Sequence, residues 1–321
     1  MARHFKIHYL LLILFLFACV ENRIFIQLHP DGQTYFRFES RGDSTDVFDT
    51  DYIHPQDFPG WITSSKVIQN ENDKNWILTS EGLSQDTAIL FYGEKMIPLG
   101  YAFNRSAKVT YFSTEYSFTF TIYGRHIQEE YPKLYEAILS EKSDSLYWLP
   151  EALTVLMQKG LHDLAQDSLS PHEIIWNQRL VNHLRNSFAR MTTLEDLQEI
   201  QKDRELFFTD LLKPFKVDSD LPGKLADAME IHEKILESTL DLNDDYFEMR
   251  VIMPGQPVFT NANEINNDTL VWQFRLDSLL ADEYTINAKS VIYATDRVQK
   301  TLISVGILFL LLMGILIKRR L

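Results

Sequence analysis

Residues 108–124 read KVTYFSTEYSFTFTIYG, and the fold class turns on them. Aromatic and β-branched residues alternate with polar ones, the two-residue period of a strand with one face buried. Tyr116, Phe118 and Phe120 share one face, and Ser117, Thr119 and Thr121 make the other face polar. The aromatic face is therefore expected in a core. Together with Tyr111, Phe112 and Tyr123 it could line a lipid-sized cavity only if both faces of the sheet were covered.

Upstream the same period recurs. RIFIQLHPDGQTYFRFES (23–40) alternates on both sides of Pro30-Asp31-Gly32, which predicts a hairpin with Gly32 at positive φ. WITSSKVIQ, NWILTSEG and TAILFYGEK continue as short strand-like pieces. Beyond Gly124 the apolar spacing changes to three and four, and helices follow to about Leu240. Ser170-Pro171-His172-Glu173 and Thr192-Thr193-Leu194-Glu195 read as capping boxes, and a last helix is expected over Pro222–Leu240. From Tyr246 the strand period returns in YFEMRVIM, TLVWQFRL and YTINAKSVIY.

Strands, helices, then strands again predict an α+β fold, a β-sheet ectodomain completed by its last strands and carrying an inserted helical block. The boundaries that follow are 1–18 for a signal peptide, 19–124 and 243–296 for the β-rich parts, and 125–242 for the helices. A transmembrane helix at 301–317 and a cytoplasmic tail at 318–321 complete the chain.

The two ends speak to location. Arg3 and Lys6 precede ten apolar residues, Tyr9–Ala18, half of the roughly 20 needed to span a bilayer but enough for a signal core. Leu16-Phe17-Ala18-Cys19 resembles the bacterial lipobox, which implies acylation of Cys19; a plain cleaved signal or an uncleaved anchor are the alternatives. Cys19 is the one cysteine of 321 residues, so no disulfide can close within the chain. Leu302–Ile317 is sixteen residues without a charge, roughly 24 Å of helix, followed by Lys318-Arg319-Arg320. The basic cluster predicts a cytoplasmic C-terminus and an ectodomain outside the inner membrane. Signalling would then depend on a partner.

The formal charge is −14, but Arg3, Lys6 and the three tail cations stand outside the ectodomain, which therefore carries −19. Such a surface repels nucleic acid and anionic headgroups.

Arg250–Ser290 contains Met253-Pro254-Gly255, Asn261-Ala262-Asn263, Leu270-Val271-Trp272 and Ala288-Lys289-Ser290. This order of turn, Asn/Ala segment, Trp strand and final strand resembles the end of the bacterial LppM-like extracytoplasmic lipoprotein domain. The resemblance covers about 40 of 321 residues and leaves out the helical block. It implies a β-rich, envelope-anchored domain that meets lipid or another envelope protein.

Chemistry is hard to find. HExxH, CxxC, GxSxG, a P-loop and GxGxxG are all missing, so no cofactor, catalytic residue or zinc ligand is assigned. Asp43, Asp46, Asp49 and Asp51 fall within nine residues of RGDSTDVFDTDY and could bind calcium, although the spacing is not that of an EF-hand. A solvated loop is the alternative. The reading that follows is a non-enzymatic binding or assembly module on the membrane, with an envelope protein or lipid as partner. A hydrolase using a carboxylate pair and a lipid carrier or chaperone stay open beside it.

Overall fold

The first hairpin forms as its alternation requires. In β1 (Glu21–Leu28) Asn22, Ile24, Ile26 and Leu28 are buried; in β2 (Thr34–Gly42) Phe36, Phe38 and Ser40 are. The strands pair antiparallel from Glu21 with Arg41 to Leu28 with Thr34, and Gly32 takes φ +93° in the turn. The computed structural model describes residues 20–49, 51–55, 60–69, 74–93, 97–164 and 171–320. The signal segment, Cys19 and the Ser170 cap lie outside them.

The chain continues through β3 (Ile62–Gln69), β4 (Lys74–Ser84), β5 (Ala88–Phe91), β6 (Tyr101–Val109) and β7 (Ser113–Ile122). Helices α1 (Ile127–Glu130), α2 (Pro132–Leu139), α3 (Leu149–Leu164), α4 (Pro171–Phe188), α5 (Leu194–Lys202), α6 (Arg204–Leu212) and α7 (Leu221–Asp241) follow. Strands return as β8 (Tyr246–Ile252), β9 (Gln256–Thr260), β10 (Glu264–Asn266), β11 (Thr269–Phe274) and β12 (Tyr284–Tyr293), and α8 (Thr295–Arg320) ends the chain. The fold is α+β.

The last strands complete two sheets rather than one. The first has the order β10-β11-β8-β1-β2-β4-β3 and the second β5-β6-β7-β12-β9. Their apolar faces meet: the Phe36 and Phe103 ring centroids are 4.8 Å apart, Phe38 and Tyr101 5.7 Å, and Phe118 and Trp272 6.3 Å. Tyr116, Phe118 and Phe120 are core residues, as their alternation predicts. Burying a side chain of this kind contributes about 1.5–3 kcal/mol.

The helices share this core. α3 and α7 approach closely at Gly160, where a Cβ would lie 2.8 Å from Met229. The cap of α5 sits one residue later than its spelling suggests. Thr193 is the N-cap, accepting at 3.3 Å from the Asp196 amide, and Asp196 accepts from the Thr193 amide at 2.9 Å. The short carboxylate of Asp196 does the work assigned to Glu195.

The residues that resemble the LppM-like pattern are structural. Gly255 has φ +81°, and a Cβ there would meet the Val291 carbonyl oxygen at 2.4 Å, so only glycine fits. Asn261 ties the sheets together. Its Oδ1 accepts from Trp272 Nε1 of β11 at 3.0 Å and from the Asn287 amide of β12 at 2.9 Å, and its Nδ2 donates to the Thr285 carbonyl at 2.7 Å.

Strand directions give the molecule two ends. β12 runs toward Tyr293, which pairs with Ser113 of β7; β8 exits beside it, where Ser290 Oγ donates to the Pro254 carbonyl at 2.7 Å. β1 is parallel to β8, with Glu21 against Tyr246 and Gln27 against Ile252, so β1 begins at the opposite end. Asp51 is at that far end too, its backbone carbonyl accepting at 2.6 Å from the Leu99 amide just before β6. Eight residue steps of β6 at about 3.3 Å each put the ends roughly 26 Å apart.

One residue, Ala294, separates β12 from α8. Thr295–Ile317 is long and apolar enough to cross a membrane, with a mean hydropathy of 2.4 over its most apolar window and none of that window buried. The helix begins six residues before the expected 301.

Candidate functional site

The aspartates singled out by spacing lie at the far end and are not alone. The loop after β2 brings Asp43, Asp46, Asp49 and Asp51 to the segment that leaves α7 and enters β8, which carries Asp241, Asp244 and Asp245. The carboxylates form an acidic cluster, a recess in burial alone, graded from half-buried Asp43 and Asp244 to Asp51 and Asp245, which are 4% and 3% exposed.

Each aspartate has its own role. Asp43 closes a turn, its Oδ1 accepting from the Thr45 amide at 2.7 Å and the Asp46 amide at 3.1 Å. Asp46 Oδ2 is buried with no hydrogen bond among the described residues. Asp49 Oδ1 accepts from the Asp51 amide at 3.3 Å, and Asp51 Oδ1 accepts from the Tyr52 amide.

Like charges out of water hold protons tightly. Burial first, then Asp43, Asp244 and Asp49, push Asp46 up to about 7. Burial, then Asp49, Glu237 and Asp244, push Asp241 up to about 7. Asp241 also closes a helix that has no basic residue in its last turn, where the dipole disfavours a negative charge. Burial raises both Asp49 and Asp51; the hydrogen bond between their carboxyls, donated from Asp51, raises Asp51 further and draws Asp49 back. Asp245 is raised by burial and by Asp49 and Asp244, and Asn22 draws it back.

A buried polar chain leads inward from the recess. Asn22 Nδ2 donates to Asp245 Oδ2 at 2.7 Å, Ser40 Oγ donates to Asn22 Oδ1, and Ser40 Oγ is 2.8 Å from His54 Nε2. With the Ser40 proton committed to Asn22, the His54 proton belongs on Nε2 and donates to Ser40. Burial lowers His54 to about 4, so it is neutral. Its Nδ1 has no hydrogen-bond partner among the described residues. Ser40 and His54 are 3% and 1% exposed, which keeps this pair from meeting a substrate. Beside the recess, Arg125 donates to the Ile97 carbonyl at 2.8 Å and to Ser238 Oγ at 3.0 Å; burial lowers it to about 10, while Asp51 pulls the other way.

The recess can take up protons near neutral pH. Among the described residues no three carboxylates, imidazoles or thiolates converge on a point where they could hold a metal ion. A small cleft between α1, α3 and α7 holds the Lys159–Glu130 ion pair at 2.5 Å, and His232 Nε2 there lies 2.7 Å from Asp163 Oδ2. Asp241, Asp244 and Asp245 are about 200 residues from the loop they join. In a chain this acidic, no spacing marks them out.

No family model matches the chain, and no curated protein matches it. Among solved structures, the folded domain of Mycobacterium tuberculosis LppM, determined by NMR, aligns over 87% of this chain and 93% of that chain at 9% identity and a TM-score of 0.29. A likeness that loose is at most distant, and it fixes neither fold nor function.

Proposed function

We propose that the chain is a membrane-anchored lipoprotein of a bacterial cell envelope. Its folded domain faces the periplasm and acts as a non-enzymatic module that binds or assembles with an envelope protein or lipid. The observation that carries this reading is the passage from β12 into α8 across one residue, with an 18-residue window of Thr295–Ile317 that is strongly apolar and none of it buried. A core helix would bury one face. Lys318-Arg319-Arg320 support a cytoplasmic C-terminus, and hence an inner-membrane location.

Acylation of Cys19 behind a signal at 1–18 is the finer part of the proposal. Intact mass of the protein from its native membrane tests it: a chain starting at Cys19 with a diacyl or triacyl addition supports it, and an unmodified start removes it. Recovery of one reproducible partner from several mild detergents supports the binding role; recovery of the protein alone counts against it.

A second reading attaches to the recess, because three further aspartates join the four suggested for calcium. Among the described residues no three of these carboxylates converge as they stand, so a cation there needs side chains to turn inward. A rise in Tm with added calcium at pH 8, lost in Asp46→Asn, would support it; an unchanged Tm would remove it. The carboxylate hydrolase keeps the same recess as its site, and hydrolysis of a glycoside that Asp46→Asn abolishes is its test.

A further inference from the structure

We propose that the tip of the β6–β7 hairpin is a second membrane contact, seated in the headgroup region of the bilayer that α8 crosses and holding the domain upright. The inference rests on the reading of α8 as a span.

The tip is tied to the root of that helix. The Ala294 amide donates to the Phe112 carbonyl at 2.8 Å, and Arg297 Nη1 donates to the Tyr111 carbonyl at 3.3 Å. The Arg297 guanidinium also lies 5.7 Å from the centre of the Tyr111 ring, close enough for a cation–π contact. Tyr111 and Phe112 meet edge to face at 4.9 Å. Wherever α8 enters the membrane, this tip is beside it.

Depth follows from the helix rise. Filling a hydrocarbon core about 30 Å thick takes about 20 residues at 1.5 Å each, and counted back from Ile317 these reach Val298. The polar region of one leaflet is about 5–7 Å deep. Arg297 and, about 6 Å above Val298, Ala294 therefore stand within that layer, and the tip bonded to both is at headgroup level, where Tyr and Trp collect in membrane proteins.

Composition and exposure fit that level. Val109, Tyr111, Phe112 and Tyr293 are 72%, 62%, 44% and 57% exposed among the described residues, large apolar side chains gathered at this end. The turn itself is closed by hydrogen bonds: the Thr110 amide to the Ser113 carbonyl at 2.7 Å, and the Ser113 amide to Thr110 Oγ1 at 3.0 Å. With the Tyr111 and Phe112 carbonyls already taken by Arg297 and Ala294, little bare backbone enters the interface. Lys108, Arg297 and Lys300 supply cations for lipid phosphates at this end, beside the carboxylates of Glu115 and Asp296.

The stance has a consequence. With the tip at the interface, the acidic recess and the start of β1 stand about 26 Å higher.

The test uses the full-length chain in nanodiscs of phosphatidylethanolamine and phosphatidylglycerol. A nitroxide is carried on a genetically encoded keto amino acid, so that Cys19 keeps its native state. It is placed in turn at Phe112, at Asn243 on the far end, and at Leu308 within α8, and collisions with oxygen and with a water-soluble nickel chelate are compared. The expected result is a deep label at Leu308, an interfacial label at Phe112 with nickel access several-fold below that at Asn243, and a water-like label at Asn243. A deep Leu308 with Phe112 as open to nickel as Asn243 overturns the hairpin contact and leaves the span standing. A shielded Asn243 overturns the upright stance. A water-like Leu308 removes the span and the inference with it.

Discussion

Asn261 joins two sheets that share no strand, and the buried Trp272 indole depends on it. Asn261→Ala leaves the indole N–H without a partner inside the protein, which costs about 2 kcal/mol. Tm should fall by about 4–8 °C; unchanged thermal unfolding would refute the clamp. Gly255→Ala should cost at least about 2 kcal/mol, since φ +81° and the Val291 carbonyl both oppose a Cβ. Denaturant unfolding reads that loss directly. Trp272 is recognisable in the sequence as a core residue from its place in an apolar strand. Its partner is not, because an asparagine in a polar loop looks the same whether it faces water or clamps an indole.

Among the elements, the recess makes the clearest pH prediction. Asp46 and Asp241 hold protons to about pH 7, whereas carboxylates of the unfolded chain lose theirs near pH 4. Between those values the folded state binds more protons, so stability falls as pH rises through the window and levels off above about 7. His54 acts in the opposite sense. Its folded value near 4 lies below the ordinary 6.5, so below about 6.5 the unfolded chain takes up its proton and stability declines. Tm should therefore rise from pH 8 to about 6.5, and Asp241→Asn should raise Tm at pH 8 while flattening that rise. A Tm that climbs steadily from pH 6.5 to 8 would contradict the burial of these carboxylates. Legibility follows length here. β1, β2, β7 and β12 declare themselves by long alternation, and α7 by its helical spacing. β9 and β10 do not, being short and largely exposed, with too little of a period to detect. Four aspartates of the recess stand together in sequence, but only the fold adds the other three.

For the whole molecule, the order strands–helices–strands is plain in the residues, while the division into two sheets is not. Periodicity tells which face of a strand is buried, not which sheet it joins; here β8 inserts beside β1 and β12 beside β7, pairings set across more than 150 residues. Strand direction is equally hidden, and it decides what lies near the membrane. Two anchors read from the ends of the chain suggest a domain pressed to one bilayer from both termini. β1 instead begins at the end away from α8. Anchorage through α8, with the folded domain outside the cytoplasm, is the claim on which the rest depends. Protease treatment of right-side-out and inverted membrane vesicles tests it most directly. Digestion of residues 20–293 only in right-side-out vesicles is the predicted result, and digestion only in inverted vesicles would contradict it.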